Sequence, residues 1–147
     1  MKKYKNVLRN LANKNNFNVV NLGNGNTRLR YRKNRTGNTF VNVTQPQHNE
    51  PGTLFIGHGR TRSNLRKQSL GTRMRALVTL AAKLAGYNRM RQYSTYGNKT
   101  QIKNYPNAPP SSRIMNKLGF VRNGEFNFSY TFDFKKMNNS ILRALAK

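Results

Sequence analysis

Arg66-Lys67-Gln68-Ser69-Leu70-Gly71-Thr72, running on into Arg73-Met74-Arg75-Ala76-Leu77-Val78-Thr79-Leu80-Ala81-Ala82-Lys83-Leu84-Ala85-Gly86, is the stretch whose reading decides the fold. Met74, Leu77, Val78, Ala81, Leu84 and Ala85 recur at the spacing of one helix face, which predicts an amphipathic helix over 72–85 stopped by Gly86. Just upstream, Thr53-Leu54-Phe55-Ile56 begins a buried strand, so the local order is strand, basic turn, helix. A helix that starts in such a turn points unpaired backbone N–H groups outward, and these favour an anion. Arg66, Lys67, Gln68, Ser69, Leu70, Gly71 and Thr72 therefore read as an anion-binding turn, or as a plain helix cap in a basic protein.

Outward from that centre, Val7, Leu8 and Leu11 give 3–14 a helical period, and 17–22 reads as a strand. Gly23-Asn24-Gly25-Asn26 is a hairpin turn into a second strand over 27–32, where Leu29 and Tyr31 face one side and Arg28, Arg30 and Arg32 the other. Gly37-Asn38 leads into a strand over 39–44, and a loop over 45–52 carries two of the prolines. Further on, 90–96 reads as a strand, 97–110 as a long loop and 111–118 as a short helix stopped by Gly119. Phe126, Phe128, Tyr130, Phe132 and Phe134 alternate with polar residues, predicting a half-buried strand over 126–134. That aromatic row is assigned to packing and not to base stacking, because exposing it would create a large apolar patch. A final helix, capped by Asn139 or Ser140, would bury Ile141, Leu142 and Leu145.

The 147 residues predict one domain, with a divergent part over 1–52 (a helix plus strands), a core over 53–134 and a C-terminal helix over 135–147. Fifteen arginines and 13 lysines face only Glu50, Glu125 and Asp133, for a formal net charge of +25. Acids to balance the cations are missing, so a polyanionic partner is the simplest expectation, with binding that weakens steeply in salt. The absence of cysteine excludes disulfides, thiolate zinc sites and cysteine nucleophiles. No metal is expected. No stretch is apolar enough for a signal-peptide core or a membrane span, which predicts an intracellular protein, neither secreted nor membrane-bound.

The chain resembles the GNAT superfamily of acetyl-CoA-dependent N-acetyltransferases, whose pyrophosphate loop reads Arg/Gln-x-x-Gly-x-Gly/Ala at a helix start. Arg66-Lys67-Gln68-Ser69-Leu70-Gly71 matches that pattern except at one glycine, where Ser69 stands. Ser111-Ser112-Arg113-Ile114-Met115-Asn116-Lys117-Leu118-Gly119-Phe120 is similar to the family's later helix ending in Lys-Leu-Gly-Phe, with Gly124-Glu125 following. The resemblance covers about half of the chain and implies an α/β (α+β) fold with a mixed, mostly antiparallel central sheet flanked by helices. It also implies acetyl-CoA as cofactor, held by Arg66, Gln68, Ser69, Leu70, Gly71 and Thr72. Met115 falls where many members carry the tyrosine that protonates the leaving thiolate, and a thioether has no proton to give. His58 is the remaining candidate base, and the N-terminal third lacks a clear counterpart of the family's first strand and paired helices, which implies a rebuilt acceptor side.

The family's usual acceptors are cationic amines, which a domain at +25 repels. The expectation is therefore a catalytically degenerate GNAT-like protein that binds nucleic acid or an acidic protein assembly, as a structural part of a virus particle or a ribonucleoprotein. Arg28, Arg30, Arg32, Lys33, Arg35, Arg60, Arg62 and Lys67 are the candidate phosphate ligands; Arg73, Arg75, Arg89 and Arg91 form a further basic group. An active acetyl-CoA-dependent N-acetyltransferase is the alternative.

Overall fold

The computed structural model describes residues 2–33, 39–46, 50–61, 69–94, 96, 99–109, 111–123, 129–136 and 138–147. Helix α1 (Lys2–Asn13) buries Tyr4, Leu8 and Ala12, one residue per turn, while Val7 and Leu11 pack at the rim of that stripe. Strand β1 (Phe17–Gly23) turns at Gly23-Asn24-Gly25 into β2 (Asn26–Tyr31). All three turn residues have positive φ, 84°, 52° and 80°, the region that Gly and Asn enter with least strain. Strands β3 (Phe40–Thr44) and β4 (Thr53–Arg60) follow, then helix α2 (Leu70–Leu84).

Helix α2 begins two residues earlier than its apolar period implied, because Leu70, Gly71 and Thr72 are themselves buried. It ends as predicted, with Gly86 at φ 94° and the Gly86 N–H donating to the Lys83 carbonyl. Leu84, expected on the core face, is 37% exposed. Beyond it come β5 (Arg89–Tyr93), α3 (Lys99–Asn104), α4 (Ser111–Leu118), β6 (Val121–Arg122), β7 (Ser129–Asp133), a 3-10 turn (Phe134–Lys136) and α5 (Asn139–Ala146). Two sequence expectations change here. The stretch 97–110 is not all loop, since it contains α3, and the α5 cap is Asn138, whose side chain accepts from the Ser140 N–H at 2.6 Å. Of the predicted aromatic row, Tyr130, Phe132 and Phe134 are buried in the core, while Phe126 and Phe128 lie outside the described residues.

Among the described residues the strands form one seven-stranded sheet in the order β1-β2-β3-β4-β5-β7-β6, antiparallel except for the parallel pair β4 and β5. This is the mixed, mostly antiparallel sheet expected. Helix α2 packs on β2, β3, β4 and β5, α1 packs on β1, and α1, α4 and α5 gather around α2. Helices α1, α2, α4 and α5 are thus layered together against one face of the sheet. Burial along the strands follows suit: Thr27, Leu29 and Tyr31 of β2, Met90 and Gln92 of β5, and Tyr130 and Phe132 of β7 are buried, while the residues between them are not.

Candidate functional site

Two places in the fold carry candidate chemistry. The first is where β4 and β5 part. Their parallel pairing runs Thr53 with Arg89, Leu54 with Met90, Phe55 with Arg91 and Ile56 with Gln92, and then stops. Beyond that point β4 continues to Arg60 beside β3, and β5 stays with β7. Val41 pairs with Gly59 and Val43 with Ile56, so β4 holds an extra residue in that step, a bulge at Gly57-His58. The bulge brings Gly59 onto the helix face, where a Cβ would lie 2.7 Å from Arg75 Nη2 and 3.3 Å from Val41 Cγ2. His58 therefore sits in the bulge itself; only its backbone belongs to the described residues.

The α2 N-terminus stands beside this gap. Ser69, at the start of the helix, adopts left-handed φ 55° and ψ 29°, is exposed, and makes no side-chain cap. That conformation explains why a glycine suits the position, and leaves the hydroxyl off the first-turn N–H groups of Leu70, Gly71 and Thr72. A Cβ on Gly71 would lie 2.8 Å from Ile114 Cδ1 and 3.3 Å from Arg75 Nη1, so α4 packs closely on the first turn at the glycine. Ser69, Leu70, Gly71 and Thr72 are brought together as a helix start, while Arg66, Lys67 and Gln68 lie outside the described residues. Met115 is wholly buried in the core and offers no proton.

Arg75 is the residue that sequence reasoning misplaced. The structure splits its presumed surface group: Arg75 is 6% exposed, whereas Arg89 is exposed and Arg73 reaches along the helix layer to the Ala146 and Asn15 carbonyls, each at 3.4 Å. Arg75 Nε donates to Gln92 Oε1 at 3.0 Å and Nη1 to the Gly71 carbonyl at 3.2 Å, and Gln92 Nε2 donates on to Ser94 Oγ at 3.3 Å. These acceptors are neutral, and burial lowers the Arg75 pKa to about 10. The signal was available: position 75 lies beside Met74 and three residues before Val78, within the apolar stripe.

The second place is the uncovered face of the sheet. Arg28, Arg30 and Arg60 meet there, since Arg30 pairs with Phe40 and Phe40 with Arg60 across β2, β3 and β4. The Arg28 guanidinium lies 3.9 Å from the centre of the Phe40 ring, and its Nε donates to Asn42 Oδ1 at 2.8 Å. Arg32 Nε donates to Asn18 Oδ1 at 3.0 Å on the same side, and Lys33 is exposed just beyond. Arg35, Arg62 and Lys67 lie outside the described residues. Across the bulge, Phe55 and Tyr93 form an aromatic pair with ring centres 5.4 Å apart and planes inclined by 39°, and Tyr93 is 57% exposed. Sequence reading missed this pair, whose partners come from different strands. Arg91, between them in the sheet, is held by Glu50 at 2.8 Å.

Among the described residues no cluster of three metal-ligating side chains occurs, and no helix is long and apolar enough to cross a membrane. No family model matches the sequence, and no curated protein matches it. Solved structures do match. A GNAT-family protein from Desulfovibrio desulfuricans, assigned as an acetyltransferase, is 16% identical over 74% of this chain and 69% of its own, with a TM-score of 0.58. One so assigned from T. thermophilus is 13% identical over 83% of this chain, with a TM-score of 0.57, and this chain spans 65% of its length. The GNAT-family acetyltransferase from Bacillus anthracis is 16% identical over 86% of this chain and 73% of its own, with a TM-score of 0.50. Identities this low speak to architecture and not to activity. The strand order, the bulged fourth strand, its divergence from the fifth and the helix that follows together give this chain the GNAT fold.

Proposed function

We propose that this is a polyanion-binding protein on a GNAT fold, whose ligand lies across the uncovered face of the sheet. One observation carries the reading: α1, α2, α4 and α5 layer against one face, and the other presents Arg28, Arg30 and Arg60, with Arg28 held by the Phe40 ring and the Asn42 side-chain oxygen. At a net charge of +25 such a face attracts phosphates and repels the amines that GNAT enzymes acetylate. Nucleic acid is the favoured ligand, with an acidic protein surface as the other, and a virus particle or a ribonucleoprotein is the setting such a role suits. Nucleic-acid affinity should fall linearly with salt on logarithmic axes, and Arg28→Gln, Arg30→Gln and Arg60→Gln should each lower that slope by about 1. No binding at low salt, or slopes untouched by all three substitutions, would overturn the assignment.

A second reading, an active acetyl-CoA-dependent N-acetyltransferase, is favoured by the bulge in β4 and the glycine-tight start of α2. Bound acetyl-CoA would supply the activated acetyl group; the chain's part is to hold its pyrophosphate on the Leu70, Gly71 and Thr72 N–H groups. Ser69→Asp separates the readings, because Ser69 is exposed and Asp tolerates its left-handed backbone while placing a negative charge at that helix start. Calorimetric acetyl-CoA binding that survives competing polyphosphate and is lost in Ser69→Asp supports the enzyme. Weak binding that salt and polyphosphate remove equally in both proteins opposes it.

A further inference from the structure

We infer that the uncovered face takes a single-stranded nucleic acid, with unstacked bases resting on the Phe55–Tyr93 pair and the backbone running towards Arg60, Arg30 and Arg28. This rests on the polyanion reading and names its ligand.

Phosphate attraction alone does not distinguish a duplex from a single strand, so the discrimination must come from something other than charge. The face supplies it. Phe55, Arg91, Thr131 and Val121 lie in one register row across β4, β5, β7 and β6, with Tyr93 two residues along β5 from Arg91. In that row Val121 is 61% exposed and Phe55 half-buried, and Tyr93, further along β5, is 57% exposed, so this end of the face offers apolar surface to solvent. Arg91 is neutralised there by Glu50, which leaves the aromatic end with little positive charge of its own. Of the cations, Arg28 and Arg30 lie three strands from Tyr93, on β2, and Arg60 lies five residues beyond Phe55 along β4. At about 4.8 Å per strand, Arg30 on β2 lies roughly 14 Å across the sheet from Tyr93 on β5. Bases and phosphates are thus served at separate ends, an arrangement a duplex cannot use because its bases are already stacked on each other. Exposed rings next to a basic groove are the means by which flat β surfaces hold single strands without reading sequence.

A second copy of the chain is the other occupant an open sheet face suggests, but two such surfaces would bring like charges together. Charge complementarity favours the nucleic acid.

The test uses the full chain, fluorescence anisotropy and three probes: an oligothymidylate, an abasic strand of equal length and charge, and a duplex. The wild type should bind oligothymidylate roughly 5- to 100-fold more tightly than the abasic strand. Tyr93→Ala should remove most of that preference while leaving the salt slope unchanged, and Tyr93→Phe should keep it. Tyr93 is exposed, so neither change threatens folding; circular dichroism of each variant checks this. Equal affinity for the oligothymidylate and abasic strands, or a preference that Tyr93→Ala leaves intact, would overturn the single-strand assignment while leaving polyanion binding standing. Binding of none of the probes at low salt would instead remove the underlying reading. A stable dimer by sedimentation that Tyr93→Ala dissociates would assign the face to a second copy and refute the inference.

Discussion

Arg75 and Gly59 offer a quantitative test of the gap between β4 and β5. Burial lowers the Arg75 pKa from its ordinary value to about 10. At about 1.4 kcal/mol per tenfold change in proton affinity, that amounts to ~3 kcal/mol held against the charged form at neutral pH. The bonds to Gln92 and to the Gly71 carbonyl offset part of it, at roughly 1 kcal/mol each. Arg75→Met, of similar volume, should therefore leave the protein as stable or about 1 kcal/mol more stable at pH 7. The pH dependence has a definite sign. The folded chain releases this proton at lower pH than the unfolded one, so the wild type gains stability relative to Arg75→Met as pH rises above about 10. Gly59→Ala adds a Cβ at 2.7 Å from Arg75 Nη2 and should cost about 1–2 kcal/mol in the wild type. Arg75→Met removes the Nη2 contact and leaves Val41 Cγ2 at 3.3 Å, so most of that cost should vanish. Urea denaturation of the four proteins gives the coupling directly, expected near 1 kcal/mol. Additivity within about 0.3 kcal/mol, or a severe loss in Arg75→Met alone, would refute the account of an uncompensated guanidinium pressed against Gly59.

Ser69→Gly should raise stability by about 0.5–1 kcal/mol in denaturant melts, because a left-handed residue without a cap bond loses only strain when its Cβ is removed. Added salt should raise the melting temperature of the free protein by screening its self-repulsion while weakening its hold on nucleic acid, and movement of both in one direction would contradict the charge argument.

The parts of the fold visible in the sequence were those with local, periodic signals. The β1–β2 hairpin is written in Gly23-Asn24-Gly25 and in the alternation of Leu29 and Tyr31 with three arginines; α2 is written in its apolar stripe and Gly86. The turn that starts α2 was recognisable from Gly71 and the pattern before it, but the left-handed Ser69 was not, since serine carries no signature for that conformation. Helix α3 went unseen because Lys-Thr-Gln-Ile-Lys-Asn buries no residue and so has no apolar face to repeat. Arg75 was hidden by its own type, as charge suggests surface wherever it occurs. The Phe55–Tyr93 pair depends on a contact between residues 38 positions apart in the chain, and no local pattern foretells it. The helix layer on one face was legible in principle: polar residues alternate with apolar ones on β2 and β7, which a sheet covered on both faces would not tolerate.

That one-sidedness divides the labour within each strand between neighbours. Leu29 answers to α2 and its layer, Arg28 and Arg30 to whatever approaches from solvent; Met90 and Gln92 against Arg91 and Tyr93 repeat the division. Saturation mutagenesis scored for folding should therefore show tolerance with a period of two along these strands. A lineage carrying this chain can then change its ligand by altering alternate residues, with the packing that defines the fold left undisturbed.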